Sequence, residues 1–360
     1  MRKIFAIVAI ITTMSLTAGA RGLTLGASAD GDAVPHIYGY CMDADPDNWD
    51  FMPGIFSILP DFGIELEDPV FWMHGLQAYD GWYHDGKVSG IVTALFNGAI
   101  SFYYRYTYDL VSGEEILFEE FYDEVDGYYM PTTATDIFLF QSRLNTKDGM
   151  VYGYAYNLAD KGNIYWAKAD FDDLLKAKTI KEAGDEVCYS LCYNEADGYF
   201  YGVNAKQQFV RMDVDGNQKV ISQMPDADYL TTKMSGLTWS PADDCFYMSC
   251  LDTADASRLL KISRKGEVSL VQVFEGMEYF TFLFSTDEVI PDTEPPYDPD
   301  DSGVDDIVSE ADYTGDYAVY TLEGRLVKAG NAADGNITAT LPQGIYVVRA
   351  GNKVSKIIIN

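Results

Sequence analysis

Apolar and polar residues alternate along much of this chain in short runs separated by Gly- and Asp-rich turns, a period of two that marks half-buried β-strands. One unit recurs. A run such as "FLFQSR" or "YSLCYN" leads into an Asp-Gly turn. A Tyr-rich run with a central glycine follows, as in "GMVYGY" (Gly149–Tyr154) and "GYFYGV" (Gly198–Val203). Those central positions are Gly39, Gly90, Gly153 and Gly202, with Ser249 of "CFYMSC" in fifth place, at intervals of 51, 63, 49 and 47 residues. Two more strand-like runs complete each unit. In the fourth unit Asp215-Gly216, a strong hairpin signal, joins them, and in the fifth Lys265-Gly266 does. Four short antiparallel strands in roughly fifty residues make a β-propeller blade. The helix-like stretch "FDDLLKAKTIKEAG" reads equally as a strand and a loop.

The two ends of the repeat complement each other. "HIYGY" (His36–Tyr40) resembles a second strand that lacks a first, and "YFTFLFST" (Tyr279–Thr286) a first strand that lacks a second. Pairing Phe280–Ser285 with His36–Tyr40 closes the ring and removes two raw sheet edges. "GIFSIL" (Gly54–Leu59) and "GIELED" (Gly63–Asp68) complete that blade. The expected fold is all-β, a five-bladed β-propeller over residues 33–288 whose terminal strands share a blade. No second turn-and-glycine signature falls inside the 63-residue interval, so no sixth blade is expected there. In "SFYYRYTYDL" the alternating tyrosines are expected to pack between blades rather than form a binding stripe.

The flanks read differently. Residues 1–20 have a basic start (Arg2, Lys3), a short apolar run and a small-residue site at Ala18-Gly19-Ala20, which is the form of a signal peptide. The apolar run is too short for a transmembrane anchor. Residues 289–306 form a Pro- and Asp-rich linker. Residues 307–360 turn strand-like again. There "VYTLEGRLV" (Val319–Val327), "LPQGIYVVRAGN" (Leu341–Asn352) and "KVSKIII" (Lys353–Ile359) look like the C-terminal sorting domain of Bacteroidetes proteins. The resemblance implies a small Ig-like β-sandwich, a Bacteroidetes source, and export to the outer surface or medium through the type IX (Por) secretion machinery. It implies nothing about a ligand.

A net charge of −31 excludes a generic nucleic-acid binder and disfavours anionic lipid. It leaves room for calcium, for which Asp43, Asp45, Asp47 and Asp50 in the loop "MDADPDNWD" are the candidate ligands; no other cofactor is expected. The five cysteines carry no C-x-x-C spacing and are expected as one or two disulfides or as buried thiols. A propeller usually works through the face where its strand 2–3 loops and its connections between blades converge. Trp49, Trp72, Tyr128, Tyr129, Tyr229 and Tyr279 are expected on that rim, where aromatic faces beside carboxylates suit sugar rings. No catalytic motif stands out. The leading expectation is therefore non-catalytic recognition, at the cell surface or outside it, of a glycan such as a polysaccharide or of an extracellular protein. One alternative is a pure protein-interaction scaffold. The other is a glycoside hydrolase, which needs two carboxylates flanking one bond; Asp136 and Glu195 are the acids nearest the inner strands.

Overall fold

The computed structural model describes residues 36–41, 54–58, 64–68, 80–96, 99–125, 128–132, 134–225, 229–230, 236–252, 257–274, 280–287, 316–321, 325–331, 341–342, 344–350 and 353–359. These residues are almost entirely β, with two single-turn 3-10 segments at Leu158–Asp160 and Gly184–Glu186 and no α-helix among them. The N-terminal strands are β1 (Ile37–Cys41), β2 (Gly54–Ile58) and β3 (Ile64–Asp68). Next come β4 (Trp82–His84), β5 (Lys87–Phe96), β6 (Ala99–Asp109) and β7 (Glu114–Glu120), paired in that order. A separate hairpin, β8 (Tyr122–Val125) and β9 (Tyr128–Pro131), fills the longest interval of the repeat.

Two sheets of successive strands follow. The first is β10 (Ile137–Asn145), β11 (Met150–Asn157), β12 (Asn163–Asp170) and β13 (Asp173–Glu182). The second is β14 (Cys188–Asn194), β15 (Tyr199–Asn204), β16 (Gln208–Met212) and β17 (Gln218–Gln223). The helix-like stretch, residues 171–184, is thus the turn after β12 followed by β13. In the next sheet β18 (Tyr229–Leu230) and β19 (Leu237–Ser240) both pair with β20 (Cys245–Asp252), which continues into β21 (Ser257–Ser263) and β22 (Val268–Phe274). Strand β23 (Phe280–Ser285) then returns to pair with β1, from Ile37↔Ser285 to Cys41↔Phe280, in a sheet ordered β23-β1-β2-β3. The C-terminal strands β24 (Asp316–Thr321), β25 (Leu326–Asn331), β26 (Gly344–Ala350) and β27 (Lys353–Ile359) form one further sheet, ordered β25-β24-β26-β27.

The first strands of the successive sheets are neighbours in a cycle. β10 packs against β14, β14 against β19, β19 against β23 and β23 against β4, while β5 lies beside β10. Apolar clusters fill the spaces between adjoining sheets. Tyr38, Tyr40 and Phe282 meet Tyr104 and Tyr106 in one. Ile91 and Tyr103 meet Phe138 and Leu139 in another. Tyr103 and Tyr104 thus bury on opposite sides of β6, which spends its tyrosines on packing.

The repeated letters have local causes. Asp148, Asp197 and Asp243 each start a turn and accept the hydroxyl of the tyrosine four residues on: Tyr152 at 2.7 Å, Tyr201 at 2.6 Å and Tyr247 at 2.9 Å. The glycine of the second strand lies under an irregular first strand. A Cβ on Gly90 would stand 2.3 Å from the Asp80 carbonyl oxygen, and one on Gly202 2.6 Å from that of Ser190, so no side chain fits. In the fifth unit Ser249 serves differently, its Oγ accepting the Phe280 amide at 2.8 Å.

Candidate functional site

A cavity of about 230 Å³ lies where the first strands turn into the second. Every first strand contributes to it: Gly81–Asp85 around β4, Arg143 and Thr146 at the end of β10, Tyr193 and Glu195 at the end of β14, Trp239 and Pro241 along and after β19, and Phe284 and Asp287 at the end of β23. An Asp-Gly turn carries Asp85, another follows Glu195, and Asp287 lies just beyond β23. Asp85 has φ 49° in the left-handed region, which Asp tolerates, and Gly86 follows at 76°. Three carboxylates from three sheets therefore line one space: Asp85, Glu195 and Asp287. Asp287 is held by Ser240 Oγ at 3.1 Å and the Ala242 amide at 3.3 Å. Glu195 Oε1 lies 3.7 Å from His84 Nδ1, close enough for charge attraction and too far for a hydrogen bond. Tyr83 and Phe284, stacked with centroids 5.7 Å apart, form one wall, and Trp239 lies on another.

Beneath this wall sits a buried ion pair. Arg143 Nη1 donates to Asp80 Oδ1 at 2.5 Å and to the Ser142 carbonyl at 2.6 Å. Both the amide and the hydroxyl of Ser142 donate to Asp80 Oδ2 at 2.5 Å. The side chains of Asp80 and Arg143 are 3% and 4% exposed, so this pair lies out of water. Burial pushes the Asp80 carboxyl above its ordinary value, against the downward pull of Arg143 and Ser142. The strand carrying Arg143 is irregular. Its register with β11 shifts between Phe140 and Arg143, and Gln141 adopts φ 47°, a conformation costly for a residue with a side chain.

Few of the rim residues expected from sequence are seen here. Trp49, Trp72, Tyr279 and the acidic residues Asp43, Asp45, Asp47 and Asp50 lie outside the described residues. Tyr128 and Tyr129 fall in β9, opposite Val125 and Glu124, and Tyr229 in β18, opposite Asp252. Of the two acids singled out, Glu195 lines it and Asp136 does not, since Asp136 precedes β10 at that strand's other end. Sequence reasoning missed Asp80, Asp85, Arg143, Trp239 and Asp287. Asp85 lay in a recognised turn, and that signal could have pointed to this end of the strands. Among the described residues no group of three or more His, Cys, Asp or Glu side chains is set to hold a metal ion. All five cysteines are buried free thiols.

No protein-family model matches the chain, and no curated protein does either. Solved structures do. One is an exo-β-1,3-galactanase from Phanerochaete chrysosporium (13% identity, TM-score 0.37, 56% of this chain and 51% of that one). Another is a GH43 β-1,3-galactosidase (10% identity, TM-score 0.36, 55% and 46%). A third is a protein of unknown function from Bacteroides thetaiotaomicron (17% identity, TM-score 0.38, 69% and 64%). The chain spans about half the length of the galactanase. Two of these three are glycoside hydrolases, the class named in the alternative expectation, and the leading expectation of a non-catalytic recognition protein is set aside. What converges at the cavity is a set of carboxylates beside a buried guanidinium. The case for catalysis rests on those residues.

Proposed function

We propose that the protein is a glycoside hydrolase built on a five-bladed β-propeller, with its active site at the mouth of the cavity. The observation that carries this reading is the convergence of Asp85, Glu195 and Asp287, from three separate first strands, on a space walled by aromatic side chains. Glycosidic cleavage needs one carboxyl to protonate the leaving oxygen and a second to attack the anomeric carbon or activate water. Asp287, oriented by Ser240 and Ala242, takes the second role. Glu195, next to His84, takes the first. The five-bladed count is supported by the cyclic packing of the first strands and by the β1–β23 seam. The substrate is a polysaccharide or oligosaccharide met outside the cell. Export rests on the signal-like residues 1–20 and on the sorting-like motifs of residues 307–360, which would engage the secretion machinery.

The test is to incubate the full-length protein with a panel of nitrophenyl glycosides and polysaccharides and to measure reducing-end release. Wild type should release sugar from at least one, and Glu195→Gln and Asp287→Asn should each lower kcat by roughly a hundredfold or more. Absence of release from every substrate sinks the proposal.

A further inference from the structure

One nitrogen of a guanidinium group that lines the cavity has no hydrogen-bond partner among the described residues. Arg143 lines the cavity with its side chain 4% exposed. Its hydrogen bonds to Asp80 and to the Ser142 carbonyl both come from Nη1; Nη2 is buried and has no partner among the described residues. A buried N–H group left this way is costly, and natural structures rarely keep one without a use. The backbone that presents it is itself strained, by the shifted register and positive φ at Gln141, and bulges of this kind re-aim side chains. The charge around it is equally specific. Asp80 already matches the Arg143 charge, while Asp85, Glu195 and Asp287 line the same space. A ligand oxygen is wanted there, and a second negative charge is not.

We propose that the cavity selects an uncharged sugar over its anionic counterpart, with Arg143 Nη2 donating to a sugar oxygen and Asp80 acting as the positioning residue behind it. The inference rests on the cavity being a sugar site, but not on turnover. An uncharged hydroxyl or ring oxygen can accept from Nη2 while its neighbouring hydroxyls donate to the surrounding carboxylates. A uronic acid would bring its carboxylate among three others, with no unpaired Lys or Arg among the described lining residues to receive it. That arrangement is repulsive, and salt should weaken the repulsion.

Calorimetric titration of the full chain with matched monosaccharide pairs tests this, using D-glucose against D-glucuronate and D-galactose against D-galacturonate. At least one neutral sugar should bind roughly tenfold or more tightly than its uronate, and the gap should narrow at high salt. Removing Nη2 without stranding a charge needs the double variant Asp80→Asn, Arg143→Met, since replacing both members of a buried pair is tolerated far better than removing one. This variant should melt close to wild type and bind the neutral sugar at least tenfold more weakly. Equal affinity for sugar and uronate, no binding of any neutral probe, or unchanged affinity in a folded double variant would each overturn the proposal. The two readings separate cleanly. Neutral-sugar binding that depends on Arg143 without any glycoside cleavage would remove the hydrolase and leave this inference standing. Cleavage with unchanged KM in the double variant would do the reverse.

Discussion

Replacing Phe282 by Ala probes the seam at which the two ends of the repeat meet. Phe282 is fully buried on β23, and its ring stacks on Tyr40 of β1 with centroids 5.3 Å apart and planes 7° from parallel. Phe284 repeats the contact with Tyr38 at 5.4 Å. The same cluster includes Tyr104 and Tyr106 of the next sheet, so the ring of Phe282 joins β1 and β23 to a third element. Truncating a buried Phe to Ala costs about 3–5 kcal/mol, of which the aromatic pairing supplies roughly 0.5–1.5 kcal/mol. Against a typical total of about 5–15 kcal/mol this is a large fraction. At roughly 2–4 °C per kcal/mol for domains of 150–250 residues, the melting temperature should fall by roughly 6–20 °C. Urea unfolding and calorimetry of the full chain would measure it, with Leu270→Ala as the comparison. Leu270 lies on β22, is 45% exposed and should shift stability by no more than about 0.5 kcal/mol. A loss below about 1 kcal/mol for Phe282→Ala would mean that the seam does not hold the ring closed, and the closure argument would fall with it.

Other expectations follow from the same packing. Ile37 faces Ser285 across the seam, so the pair Ile37→Cys, Ser285→Cys should form a disulfide under mild oxidation, seen as a mobility change on a non-reducing gel. Burial pushes the Cys188 thiol up to about 12 and Cys245 up to about 11, so a thiol reagent at pH 8 should label none of the five cysteines until urea is added. These folded values lie above the ordinary thiol value of 9.0. Their contribution to stability is therefore complete below about pH 9 and is lost as pH rises toward 11 and 12, which alkaline unfolding should record. At the acid end, burial raises Asp243, but hydrogen bonds from His36 at 2.9 Å and Tyr247 at 2.9 Å outweigh it and hold the carboxyl below its ordinary value. Its contribution is present above the ordinary Asp value of 3.8 and fades as pH falls through the lowered one, so Asp243→Asn should flatten stability against pH in that range.

The parts of this architecture that were legible from sequence are those written in local chemistry. A period of two gives strands, an Asp-Gly pair gives the left-handed turn, and a turn Asp four residues before a Tyr gives the repeated hydroxyl contact. The seam was legible because "HIYGY" and "YFTFLFST" lacked opposite halves of one unit. The cavity was not. Its acids come from three sheets, and each looks like an ordinary turn residue until the first strands are brought into a cycle. Arg143 was hidden further, because the irregularity that presents it uses Gln141 and Ser142 and carries no glycine to flag it. The rim loops expected from sequence lie largely outside the described residues, and the proposed site lies at the opposite ends of the first strands.

The most direct test of the account compares two carboxylates at the two ends of those strands. Reducing-sugar release should be measured on a substrate that wild type cleaves, for Glu195→Gln and for Asp136→Asn, each with its melting temperature. Glu195 lines the cavity, and Asp136 sits exposed before β10. The account predicts a kcat lower by roughly a hundredfold or more for Glu195→Gln at unchanged stability, and wild-type kcat for Asp136→Asn. Full activity in Glu195→Gln, or its loss in Asp136→Asn, would place the chemistry elsewhere and contradict it.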